Sequence, residues 1–225
     1  MQTEISPYLE ALKESVKQKI SDLLSNQTIS KVASNAFTFH FKKNKVSLSF
    51  QHYYRESINN RQSYFGTSAF FRVFKQRYSL QGIDGAYLDK LEGEKEKILH
   101  LIKNNELANL YFKFFEKVPI KHGENYVNKN LGSFFTKLVH TFRPDEFCAL
   151  DNPIKKHFGL GNESFYIAFI IVSEAYREWV NENPNLIKQI RMELERNETG
   201  QPFSAKMTDI KLLDLIFWYQ VNESE

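Results

Sequence analysis

Asp151 follows the apolar run Phe147-Cys148-Ala149-Leu150 and precedes Asn152-Pro153, a pattern that starts a helix. An Asp in that place accepts the unpaired amides of the first turn and sits at the positive end of the helix dipole. Those amides are expected to hold it as a carboxylate at neutral pH, and capping alone explains the same residue. A second chemistry-bearing segment runs from Tyr53 to Tyr78, where Tyr53, Tyr54, Tyr64, Phe65, Phe70, Phe71, Phe74 and Tyr78 alternate with Arg55, Arg61, Arg72 and Arg77. Rings beside guanidinium groups suit an extruded base and its phosphates, although Phe70, Phe71 and Phe74 share a helical face that equally reads as core. The six histidines lack metal-ligand spacing, and neither a serine elbow nor a phosphate-cradling glycine loop is present. His140, His157 and the adjacent acids Asp145-Glu146 read as structural or solvated groups.

The elements that must carry these residues are mostly helical. Ser6-Pro7 opens a first helix, in which Leu9, Leu12, Val16, Ile20, Leu23 and Leu24 recur on one face. Phe37-Thr38-Phe39-His40-Phe41 and Val46-Ser47-Leu48-Ser49-Phe50 alternate apolar and polar residues around Lys42-Lys43-Asn44-Lys45, which reads as a β-hairpin near the N-terminus. Gly66 marks a break before a helix capped by Thr67 or Ser68 and running to Tyr78. A charged helix follows at Asp84–Lys103, then an aromatic one at Glu106–Val118 stopped by Pro119. A turn around Gly132 leads into an amphipathic helix to Phe142, and long helices follow at 162–181 and 184–197. The last helix, 209–220, is capped by Thr208 and apolar nearly all round, hence buried. The fold class is therefore mostly α with one small hairpin. Residues 1–225 read as a single compact domain, with a helix and hairpin over about 1–50 and a core over about 105–180. The best breaker is the loop Thr199–Ala205.

Composition narrows the function class. The 225 residues carry 42% hydrophobic and 25% charged side chains, an ordinary globular balance. Apolar runs such as Tyr166–Val172 are too short to cross a bilayer, and the start of the chain does not read as a signal peptide, so a cytoplasmic protein is expected. One cysteine, Cys148, excludes an internal disulfide, a Cys-based zinc site and a four-Cys iron–sulfur cluster. It reads as a small buried residue, and no metal or cofactor is expected. Net charge is +3, but residues 31–80 hold nine cations against Glu56 alone, a local balance of +8 that leaves −5 for the rest. A field concentrated this way suits a polyanion such as DNA, as well as a plain solvated surface.

The stretch from Asn128 to Leu160 resembles the active-site segment of helix-hairpin-helix DNA glycosylases. There a glycine-rich hairpin leads through a helix and an apolar segment to an Asp, in a Val-Asp-x-x-Val-x-Arg pattern. The counterpart here is Leu150-Asp151-Asn152-Pro153-Ile154-Lys155-Lys156, nineteen residues past Gly132. The family's Leu-Pro-Gly-x-Gly hairpin reads Asn128-Lys129-Asn130-Leu131-Gly132, and Asn130 is a residue that tolerates a left-handed backbone. The resemblance implies that Asp151 stabilises the cationic sugar as the base departs, an oxocarbenium-like centre that needs a nearby anion. It implies that the turn at Asn130, Gly132 and Ser133, with Lys129 and Lys155 beside it, holds a DNA phosphate. Phe134 stands where the family's lyase lysine lies, which implies base removal without strand cleavage. Lys121, Lys129 and Lys137 are the nearby amines that keep a lyase step open, and Lys137 joins Asp151 as a candidate catalytic residue. Arg55 and Arg61 complete the expected DNA contacts, and Tyr53, Tyr54, Tyr64 and Phe65 the expected base pocket. The implied partner is double-stranded DNA carrying a modified or damaged base, bound by a monomer away from any membrane. Some family members excise glucosylated hydroxymethylcytosine from phage DNA in antiviral defence. The alternative is a non-catalytic helical module that binds DNA or protein and keeps Asp151 as a cap.

Overall fold

The segment expected to be an N-terminal hairpin is helical. In the computed structural model, which describes residues 6–122, 125–197 and 207–222, α1 (Pro7–Leu23) is followed by α2 (Ile29–Thr38), a π-helical turn Phe39–Lys43 and α3 (Lys45–Asn59). The same letters that alternate in twos also satisfy a helical face, since Ala33, Ala36, Phe37, His40 and Phe41 are all buried. Asn44, placed in the supposed turn, instead caps α3 by accepting the Ser47 amide at 2.9 Å. Among the described residues, the two-stranded antiparallel sheet lies at β1 (Val118–His122) and β2 (Asn125–Lys129), with Val118 opposite Lys129. Pro119 thus sits within a strand of a two-stranded ribbon, an edge that tolerates a missing amide.

Elsewhere helices form where the apolar spacing requires them. After α4 (Arg61–Gly66), α5 (Phe70–Arg77) buries Phe70, Phe71 and Phe74 together. The predicted charged helix breaks at Glu94 into α6 (Gly85–Gly93) and α7 (Lys95–Lys103), and α8 spans Leu107–Phe114. Then come α9 (Gly132–Phe142), α10 (Asn152–His157), α11 (Phe165–Glu182), α12 (Pro184–Asn197) and α13 (Asp209–Asn222). Thr208 caps α13 as expected, accepting the Lys211 amide at 3.1 Å. The breaker loop 199–205 lies outside the described residues.

The core is layered around α11, which packs against α1, α9 and α13, while α2 covers α12 and α13. Lys13 and Lys17 of α1 reach Glu178 and Glu182 of α11 at 2.7 and 2.8 Å, pinning that contact. Because α13 also packs on α10, its inner face and the start of α10 meet at one place, and α3 and α9 close it from the other side.

Candidate active site

Residues 147–151 cross the core without regular structure, so their backbone groups need partners from neighbouring helices. α9 supplies two: Thr136 Oγ1 donates to the Leu150 carbonyl at 2.6 Å, and His140 Nδ1 donates to the Phe147 carbonyl at 2.6 Å. α11 supplies Ser173 Oγ, which accepts the Cys148 amide at 3.1 Å. α13 supplies Asp214, whose Oδ2 accepts the Ala149 amide at 2.9 Å. The far ring nitrogen of His140 accepts from the Tyr54 hydroxyl at 2.7 Å. Burial drives the pKa of His140 down to about 3, with Lys211 acting the same way, so it is a neutral structural group. Cys148 is buried in this run, and burial pushes its thiol up, which makes it inert.

This scaffold delivers Asp151 to the first turn of α10, where Oδ1 accepts the Ile154 amide at 3.2 Å. The side chain faces a cavity of about 280 Å3 shared with Lys137, Lys211 and Asp214. Phe50, Tyr78 and Trp218 give it aromatic walls, Gln51 and His40 add polar groups, and Arg77, Asn44 and Val46 also line it. Burial raises the Asp151 carboxyl above its usual value; the Lys137 charge and the Ile154 amide oppose it without overcoming it. The capping amide favours the carboxylate as the sequence implies, and burial outweighs it. Burial lowers Lys137, and the two aspartates raise it. On α13 burial pushes Asp214 up to about 7, against Lys211, and pushes Lys211 down to about 8, against Asp214. The cavity thus gathers two carboxyl groups and two amines, each shifted by burial, in one small space, the setting in which titration is tuned for chemistry.

The other sequence candidates lie in several places. Asn130 bridges Tyr111, donating to its hydroxyl at 2.6 Å, and accepts the Gly132 amide at 2.8 Å, while the Leu131 amide donates to Phe115 at 2.7 Å. Two amides of the supposed phosphate turn are therefore taken internally, and Ser133 is half-buried in the first turn of α9. A Cβ on Gly132 would lie 2.1 Å from Cγ of Phe165, so glycine is required there by packing. Lys129 donates to the Gln81 carbonyl at 3.2 Å. Lys155 is only 8% exposed and donates to the carbonyls of Gly161 and Glu163 at 3.0 and 2.5 Å, so it holds the turn after α10 rather than facing outward. Arg61 is exposed on α4 and Arg55 half-buried on α3.

The expected base pocket differs from the one present. Tyr54 is buried against His140, Phe65 packs on Phe70 and Phe142, and Tyr53 and Tyr64 join their hydroxyls; none of the four lines the cavity. Phe134, in place of a lysine, stacks with Phe74 and Phe115 in the core. What the sequence reading missed was Gln51, Lys211 and Asp214. The last two were visible as polar residues spaced i,i+3 in an otherwise apolar helix, a pattern that demands an explanation when the helix is buried. Among the described residues, no group of three or more His, Cys, Asp or Glu could hold a metal ion, and no helix is long and apolar enough to cross a membrane.

No family model, curated protein or solved structure matches the chain. The functional reading therefore stands on the cavity and its charges.

Proposed function

We propose that the protein is a DNA N-glycosylase that extrudes a modified or damaged base into this cavity and hydrolyses its bond to the sugar. The observation that carries the reading is the meeting of Asp151 and Lys137, fourteen residues apart, in one cavity with aromatic walls. A departing base leaves positive charge on the sugar, and an anion fixed in a poorly solvated site stabilises that charge far more than one in water. Asp151 is the anion, and Lys137 opposes the burial that would otherwise neutralise it. The volume lies just below the roughly 300–1,000 Å3 of small-molecule sites, a size suited to one extruded base rather than a larger ligand.

The rim fits a polyanion. Lys43 and Lys45 are exposed and flank Asn44, and exposed Arg77 lines the cavity itself. Phosphates gripped there would lie beside the opening through which a base must pass. With Phe134 in the core, the reading is base removal that leaves an abasic site without strand cleavage. Borohydride is accordingly expected to trap no covalent adduct; an adduct lost in Lys137→Gln would reassign Lys137 as a nucleophile. The test of the main claim is Asp151→Asn. Base release from a preferred substrate is expected to fall at least ~100-fold while duplex affinity stays within about threefold. Unchanged release would remove Asp151 from the chemistry.

A further inference from the structure

Two buried side-chain polar atoms have no hydrogen-bond partner among the described residues, Gln51 Oε1 and the Tyr176 hydroxyl. They differ in what surrounds them. Tyr176 packs in the core between Phe158 and Phe217 and does not line the cavity that holds Asp151. Gln51 is 2% exposed and lines the cavity that holds Asp151, Lys137 and Asp214. A buried carbonyl oxygen without a donor is costly and uncommon, and a ligand is one way such a group becomes satisfied.

We propose that Gln51 reads the ligand of this cavity, accepting a hydrogen bond from an N–H on the edge of a planar heterocycle. A carboxamide carries an acceptor and a donor side by side, so its matching edge has an N–H beside an acceptor. Amino-substituted rings and cyclic amides present that edge, and they are the hydrogen-bonding faces of nucleobases. The walls suit a flat ring: Phe50 and Tyr78 meet edge to face with centroids 5.0 Å apart, and Trp218 lines the same space. Calling the ring a nucleobase rests on the glycosylase reading; the hydrogen-bond requirement does not.

The position of Gln51 also fixes its role. It lies on α3, whereas Asp151 begins α10 and Lys137 projects from α9, so recognition of the ring and stabilisation of the sugar come from different elements. Changing Gln51 is therefore expected to alter which ligand is accepted while leaving the Asp151 cap in place.

The experiment is calorimetric binding of free heterocycles to the full chain and to Gln51→Leu, in pairs that differ by the edge in question. 9-Methyladenine and 9-methylhypoxanthine are each compared with 9-methylpurine, and 1-methylcytosine with 1-methyl-2-pyrimidinone, so that the second ring of each pair carries no N–H. In the wild type at least one ring with the edge is expected to bind about ten-fold to a hundred-fold tighter than its partner without it. In Gln51→Leu that ratio is expected to fall close to one, with a melting temperature equal to or above that of the wild type because a buried unpaired acceptor is gone. Equal affinities within every wild-type pair, no binding of any ring at millimolar concentration, or an unchanged ratio in Gln51→Leu would each overturn the proposal. Gln51→Met provides the same comparison should the leucine variant not fold. Gln51-dependent ring binding with no base release from any DNA would keep this inference and remove the excision chemistry. Base release whose selectivity Gln51→Leu leaves unchanged would do the reverse.

Discussion

At the scale of single residues, two opposing effects act on Asp151. Burial raises its pKa, and Lys137 across the cavity is the first of the groups that lower it. If the carboxylate is the working form, activity falls as pH drops through a value above the usual carboxylate ~3.9. Removing the opposing cation must raise that value further, so Lys137→Met is expected to move the acid limb of the rate profile to higher pH. A limb that stays in place would show that Lys137 does not act on Asp151. Asp151 and Lys137 were legible in the sequence because a helix start and a nearby amine leave local marks. Gln51 left no such mark, and Lys211 and Asp214 showed only as polar residues in an apolar helix, because their meaning depends on α3 and α13 meeting around α10, far apart in the chain. The expected pocket failed for a related reason. Tyr53, Tyr54, Tyr64 and Phe65 have the right chemistry, but helix phase turns Tyr54 toward His140 and Phe65 toward Phe142.

At the scale of elements, the segment 37–50 shows how far periodicity can mislead. Phe-Thr-Phe-His-Phe fits a strand, yet Phe37, His40 and Phe41 also form one helical face, and long-range packing on α12 and α13 decides between them. The actual hairpin, 118–129, was hidden behind Pro119, which reads as a helix stop and tolerates a strand edge equally well. Gly132 illustrates the opposite case, a correctly placed turn with a different cause. Its Cβ position is filled by the Phe165 ring at 2.1 Å, so Gly132→Ala is expected to cost about 1–3 kcal/mol in denaturant unfolding. Pairing it with Phe165→Leu should recover part of that loss. If Gly132→Ala instead leaves stability unchanged but weakens DNA binding, the turn serves phosphate and not packing. Asp214 ties α13 to the approach to Asp151 by accepting the Ala149 amide, so Asp214→Ala, which removes the acceptor, is expected to loosen residues 147–151. Faster amide exchange of Ala149 relative to Ile216 would register it.

At the scale of the whole molecule, charge governs both stability and partner. Burial lowers His40 to about 4 and His140 to about 3, so an unfolded chain, with histidines near ~6.5, binds protons that the folded one refuses. Their contribution is fully present above that value and is lost as pH falls toward 4. Asp214, raised to about 7, works in the opposite direction over much of the same range, since the folded state keeps its proton. Asp151 is also raised and His157 also lowered by burial, and three lowered histidines against two raised aspartates leave a net loss on acidification, so the urea midpoint is expected to be lower at pH 5 than at pH 7, with a smaller difference in His140→Gln. The concentration of cations in residues 31–80 was readable from the sequence, and the structure brings Lys43, Lys45 and Arg77 to the cavity region. Replacing Lys43 and Lys45 with Gln should weaken duplex binding and reduce the slope of log affinity against log salt by about 1–2. The central claim, however, is bond cleavage and not binding. Mass spectrometry of free bases released from duplexes bearing oxidised, alkylated and glucosylated hydroxymethylated bases tests it most directly. One such base is expected to be released by the wild type and none by Asp151→Asn; no release from any of these DNAs, by protein that binds them, would remove the excision chemistry.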